Sequence, residues 1–142
     1  MHKDGLTNMM LPEGDNRYTA IPILNPISEE FPYMRTTLVP AVIEAAKRNI
    51  AQQNKDLWLF ETANVYEPKS LPLTEVPHER PMACGIMMGK VTEAAWNQAQ
   101  RDTDFYDVKG VVDGLLAKLG LTQYNIQPSS ESYYHPGVSA HY

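Results

Sequence analysis

The sequence predicts an α+β fold with a mainly antiparallel sheet flanked by helices, and three observations lead there. Two segments, Leu57–Tyr66 (LWLFETANVY) and Pro81–Gly89 (PMACGIMMG), carry apolar residues at both parities, the pattern of strands covered on two faces. The stretch between them, Glu67 to Arg80, holds Pro68, Pro72 and Pro77 with several charges and no helical pattern. It therefore reads as a surface loop joining antiparallel neighbours, because parallel strands need a crossover. Helical segments are interspersed with these strands without a strict β-α-β rhythm.

Taken in order, residues 20–26 (AIPILNP) predict a short strand stopped at Asn25-Pro26, since the residue before proline is pushed out of helical geometry. A helix follows from about Thr37 to Gln52, with Thr36 or Thr37 as cap and Pro40 in the first turn, where a missing N–H costs nothing. Leu38, Val42, Ala45, Ala46, Asn49 and Ile50 share one side of it. Core packing explains that stripe; its small residues at Ala45 and Ala46 also suit a subunit interface. After the Pro81–Gly89 strand, residues 92–101 predict a short polar helix or turn anchored by Trp96. The clearest helix starts at Thr103 or Asp104, aligns Phe105, Val108, Val112, Leu115, Leu116 and Leu119, and stops at Gly120, which suits a left-handed cap. Tyr124–Gln127 reads as a strand, Tyr134–Gly137 as a turn, and Val138 onward as another strand.

The 142 residues, 43% of them hydrophobic, are enough for one domain with a core. We expect 1–19 to be flexible or partly ordered, and 20–142 to form the domain, with both ends cut from a longer polypeptide. A net charge of -5 argues against this piece gripping a nucleic-acid backbone alone. The single cysteine, Cys84, cannot form an internal disulfide, and there is no signal peptide or membrane-spanning run, so a cytoplasmic setting without a membrane partner is expected.

The common nucleotide, metal and nucleophile motifs are absent. His2, His78, His135 and His141 are scattered singly, too few together for zinc, and no metal site is expected. Cys84, in an apolar strand, reads as a small hydrophobe. Glu61 in the same setting must be paired, hydrogen-bonded or facing a cleft; pairing is favoured over acid–base catalysis because no partner acid, His or Lys is identifiable. Asp104 and Asp107 suit the dipole at a helix start, whereas Lys109 runs against it and calls for a specific partner.

Several segments together resemble one family. Asn25 to Glu30 (NPISEE), Met34 to Pro40 (MRTTLVP) and Arg48-Asn49 are similar to the NPLSEE, LRTSLLP and RN sequences of bacterial phenylalanyl-tRNA synthetase beta subunits. Leu59-Phe60-Glu61 with Val65-Tyr66, then Asp104 to Gly110 (DFYDVKG), then Tyr134 to Gly137 with Ala140, continue the match in order and spacing. The resemblance implies a class II synthetase-like core, an antiparallel sheet flanked by helices, that packs on the alpha subunit within an (alpha-beta)2 heterotetramer. It implies that the alpha subunit uses ATP and Mg2+ to join phenylalanine to tRNA(Phe), that this piece holds no cofactor, and that editing belongs to another beta domain.

A class II site needs an arginine near its second-motif strand to hold the α-phosphate. Here Glu67 and Pro68 follow Tyr66, so the charge has the wrong sign. The third motif would lie beyond Tyr142, and the resemblance implies that the beta subunit lacks it. Catalytic residues are therefore expected to be none. Arg35, Leu38, Val42, Ala45, Ala46 and Asn49 are the candidate interface, while Glu61, Lys109 and His135 are structural or belong to a residual pocket. Two alternatives remain: a surviving nucleotide or aminoacyl pocket using Glu61 and His135, and tRNA contact through Lys69, His78 and Arg80 of the 67–80 loop.

Overall fold

The computed structural model describes residues 1, 3–91, 96, 97 and 99–142. It forms two compact units, Met1–Ile86 and Met87–Tyr142, each with its own secondary structure. The first holds a short helix α1 (Lys3–Thr7), a single 3-10 turn (Asn16–Tyr18), helix α2 (Val39–Ala51), strand β1 (Leu57–Glu67) and nearly all of strand β2 (His78–Met88). The second holds helix α3 (Phe105–Lys118) and two short strands, β3 (Gln127–Pro128) and β4 (Ala140–His141). The α+β class stands: β1 and β2 form an antiparallel pair, and β3 pairs antiparallel with β4, Gln127 opposite His141 and Pro128 opposite Ala140.

The core lies in the first unit and is built on α2. Leu38, Val42 and Ala46 are buried along one side of this helix, beside buried Leu57 and Val65 of β1. The N-terminal segment read as flexible or partly ordered contributes Leu6, Met9 and Leu11 to the same core. Its apolar residues seat α1 against α2, so closely that a Cβ on Gly5 would lie 2.7 Å from the Pro40 Cβ. Residues 20–26 make only an isolated antiparallel bridge, Pro22 with Tyr33, because the prolines limit the donors available for a longer ladder.

Helix α2 begins two residues later than predicted, and neither threonine is its N-cap. Leu38 takes that position without a side-chain cap bond. Thr36 Oγ1 instead donates to the Arg17 carbonyl at 2.6 Å, while the Val39 N–H reaches Thr37 Oγ1 at 3.4 Å. Pro40 in the first turn has no N–H to satisfy, so the missing cap leaves fewer orphan donors. At its other end the Gln53 N–H bonds to the Ile50 carbonyl and the Asn54 N–H to the Asn49 carbonyl, a Schellman motif with Gln53 at φ 67°.

The two-sided burial expected of both strands is corrected, and no residue of β2 is buried at all. β1 is not covered on both faces: Leu57 and Val65 are buried, but Trp58 and Phe60 on the opposite face are 56% and 82% exposed. Among the described residues, helix α2 packs on one side of this two-stranded sheet. The stripe Phe105, Val108, Val112, Leu115, Leu116 and Leu119 does lie on α3, yet no residue of that helix is buried. Trp96 does not anchor a helix, being almost wholly exposed, and the rest of that expected element falls largely outside the described residues.

Helix α3 is well specified at both ends. Asp104 caps it, accepting from the Tyr106 and Asp107 N–H groups, and the Asp107 carboxylate accepts in turn from the Asp104 N–H, a closed capping box. At the other end Gly120 has φ 76°, with the Gly120 N–H on the Ala117 carbonyl and the Leu121 N–H on the Leu116 carbonyl. The turn expected at 134–137 closes through a bond from the Val138 N–H to the His135 carbonyl.

Candidate functional site

The loop end of the β1–β2 hairpin is where a phosphate-holding cation would stand. The Arg80 guanidinium is there, on β2, but it is committed to Glu67: Nε and Nη2 donate to Glu67 Oε1 at 3.0 and 2.7 Å. His78 Nδ1 stands 3.7 Å from the other carboxylate oxygen. The Arg80 bond holds the Glu67 carboxyl below its ordinary pKa, so this carboxylate is ionised at neutral pH. Lys69 pairs with Glu75 at 2.8 Å, and Glu79 accepts from the Asn64 amide. The loop cations proposed for tRNA contact are thus matched by carboxylates, an arrangement that makes a solvated surface more than an anion site.

Two candidates come together farther back along β1. Arg35, in the lead-in to α2, donates from Nη1 to Glu61 Oε1 at 3.0 Å and from Nε to the Asn64 carbonyl at 2.8 Å. Glu61 therefore has the pairing its apolar strand demanded, and its partner could not be read from sequence because 26 positions separate the two residues. Cys84 on β2 is half-buried, and burial, reinforced by the Glu61 charge, pushes its thiol pKa up. That is the opposite of an activated nucleophile.

Of the six interface candidates, Leu38, Val42 and Ala46 are buried within the chain and have no surface to offer a partner. This is the core-packing alternative. Arg35, Ala45 and Asn49 are partly exposed, and the Asn49 amide is occupied locally by the Ala45 carbonyl at 2.9 Å. Ile43, and Ile50 of the stripe itself, are the exposed large apolar residues of that helix. A cleft of about 680 Å³ opens between α1, α2 and the preceding loop, lined by Asp4, Glu30, Phe31, Arg35, Lys47 and Arg48. Asp4, Glu30 and Glu44 there face Arg35, Lys47, Arg48 and the N-terminal ammonium, and Lys47 is paired with Glu44.

In the second unit Lys109 finds the partner its position called for. Its ammonium lies 2.5 Å from the Asp113 carboxylate, which also accepts from the Tyr142 and Tyr124 hydroxyls at 2.9 and 3.2 Å. The pair raises the Lys109 pKa and lowers that of Asp113. This was legible as an i, i+4 spacing; the two tyrosines were not. His135 serves its own turn, Nδ1 accepting from the Gly137 N–H at 3.1 Å. Among the described residues no three His, Cys, Asp or Glu converge as a metal site, and no helix is long and apolar enough to cross a membrane.

The fold and these contacts define an α+β module in which Arg35, Glu61, Glu67, Arg80 and Lys109 are paired within the chain and large apolar side chains are left exposed. Comparison with known proteins names its family. Residues 1–142 match the family model described as phenylalanyl tRNA synthetase beta chain CLM domain, and the chain belongs to that family. It is 36% identical over 140 residues to the phenylalanine–tRNA ligase beta subunit of Geobacter sulfurreducens, covering 98% of this chain and 17% of that protein. It is 37% identical over 130 residues to the beta subunit of Syntrophotalea carbinolica, covering 91% and 16%. For that of Halalkalibacterium halodurans the figures are 34% over 130 residues, 90% and 16%. The chain thus spans about one sixth of the length of these relatives.

Proposed function

We propose that this domain is a non-catalytic, class II core-like module of a bacterial-type phenylalanyl-tRNA synthetase beta subunit, and that it supports assembly with the alpha subunit. In this reading the cytoplasmic holoenzyme is an (alpha-beta)2 heterotetramer that attaches phenylalanine to tRNA(Phe). ATP and Mg2+ act at the alpha subunit, tRNA is bound through the holoenzyme, and this module has no reaction of its own. The relatives named above are beta subunits of phenylalanine–tRNA ligase, which supports the assignment.

The observation that carries the assembly role is the open apolar surface. Trp58 and Phe60 project from the face of β1 opposite the core, and α3 keeps its whole leucine and valine stripe accessible. Large apolar side chains left open in this way mark a face that another element covers. The Glu67–Arg80 pair supports the absence of catalysis, since the cation that could neutralise a phosphate is already neutralised by the chain.

The test is assembly of the full-length beta subunit with alpha when Trp58→Glu and Phe60→Glu are both present. We expect the heterotetramer to be lost in size-exclusion chromatography with light scattering. Unchanged heterotetramer and unchanged aminoacylation would remove the strand face from the interface. A charge at Ala46 is the poorer test, because that buried position reports on folding.

A further inference from the structure

Along β1 the backbone polar groups alternate between two edges. Odd-numbered residues face β2, as the placement of Gly85 beside the Leu59 carbonyl requires, and even-numbered residues face the opposite edge. On that outer edge the Tyr66 N–H donates to the Arg35 carbonyl at 2.9 Å, and the Asn64 carbonyl accepts from Arg35 Nε at 2.8 Å. In a parallel ladder, a residue facing position i accepts from the N–H of i+1 and donates to the carbonyl of i−1. Arg35 does both around Val65, with its side-chain Nε–H standing where a backbone N–H would be. Its Nη1 reaches the Glu61 carboxylate at 3.0 Å, so the guanidinium is fixed between the edge carbonyl of Asn64 and the side chain of Glu61.

We infer that Arg35 is a surrogate strand: it closes the outer edge of β1 at residues 64–66 against strand addition and holds the lead-in of α2 on that edge. An eleven-residue strand with an open edge is a template for pairing with another chain, and a charged group fixed along it blocks that route. The bond to the Asn64 carbonyl is the distinguishing contact, because an ordinary ion pair with Glu61 would leave the edge carbonyl free.

The test uses the full-length polypeptide that carries this domain. Arg35→Met keeps the apolar stem and removes the donors; it is expected to speed amide exchange at Tyr66 by about tenfold or more, and to cause association that rises with concentration in light scattering. Glu61→Gln removes the ion pair and leaves the Nε bond, so it is expected to change both readouts by less than about twofold. Unchanged exchange or unchanged association in Arg35→Met overturns the inference. So does an equal effect from Glu61→Gln. Where Arg35→Met does not fold, Arg35→Lys decides: it keeps the charge but not the fork, and the inference requires fast Tyr66 exchange and association in it as well.

Discussion

Asp107 shows how much one side chain can be asked to do. Its carboxylate receives the Arg101 guanidinium at 2.6 and 2.7 Å and closes the capping box on the Asp104 N–H. The Arg101 bonds, and then the backbone bond, pull its pKa from 3.8 to about 2. A group depressed in the folded state contributes stability above its unfolded pKa and loses it as pH falls through the folded one. The Asp107 contribution is therefore full at neutral pH and fades between about pH 4 and pH 2. Asp107→Asn should lower the urea midpoint at pH 7 and show a smaller further loss than the parent between pH 4 and pH 2, measured by circular dichroism. Equal acid loss in both proteins would show that other carboxylates carry it.

Buried side chains behave differently, and two leucines make the contrast. Leu38 is wholly buried, so Leu38→Ala should cost about 3 kcal/mol in chemical denaturation, from lost transfer energy and the cavity left behind. Leu115 on α3 is 52% exposed, and Leu115→Ala should cost this chain less than about 1 kcal/mol. A larger loss in the full assembly than in the chain would mark Leu115 as covered there.

At the scale of elements, α2 and α3 end in the same Schellman geometry with different residues in the left-handed position. Gly120 adopts φ 76° without a steric penalty, whereas Gln53 holds φ 67° with a Cβ. Gln53→Gly should stabilise by up to about 1 kcal/mol and Gly120→Ala should destabilise by about the same amount, both read from denaturant midpoints. Nothing lies within 4 Å of a Cβ built on Gly120, so the cost there is conformational and not steric. Gly5 is the reverse case. Its Cβ would meet Pro40 at 2.7 Å, so Gly5→Ala should cost about 1–3 kcal/mol by forcing α1 from α2. A neutral result would show that α1 does not dock on α2 in solution.

Local pattern gave these elements unequal visibility. The capping box, the terminal Gly120 and the apolar stripe announce α3 within a few residues of one another. The start of α2 departs from the local rules because Thr36 is spent on the Arg17 carbonyl, 19 positions away, a contact that local pattern does not carry. The N-terminal segment looked irregular because its helix has only five residues, too short to show a periodicity, although Leu6 and Met9 go into the core.

For the whole molecule, the apolar surface is distributed by what is available to cover it. β1 has apolar residues on both parities, and so predicts two-sided burial, but α2 covers one side and leaves Trp58 and Phe60 exposed. The same residues that make the strand readable thus made its surroundings misleading. If the proposed assembly is right, that pattern describes the strand in its partner's company, and the paired Trp58 and Phe60 substitutions test it at this scale.

The α+β class, the family and the acid and proline that follow Tyr66 were determined by the sequence alone, because each rests on short-range pattern or on residue identity. The tertiary structure alone decided the partners: Arg35 for Glu61, Arg80 for Glu67, and two tyrosines for Asp113 beside Lys109. It also decided which apolar faces are covered. Both depend on which distant segments meet, and burial and pairing energies act through space, where sequence separation carries no information.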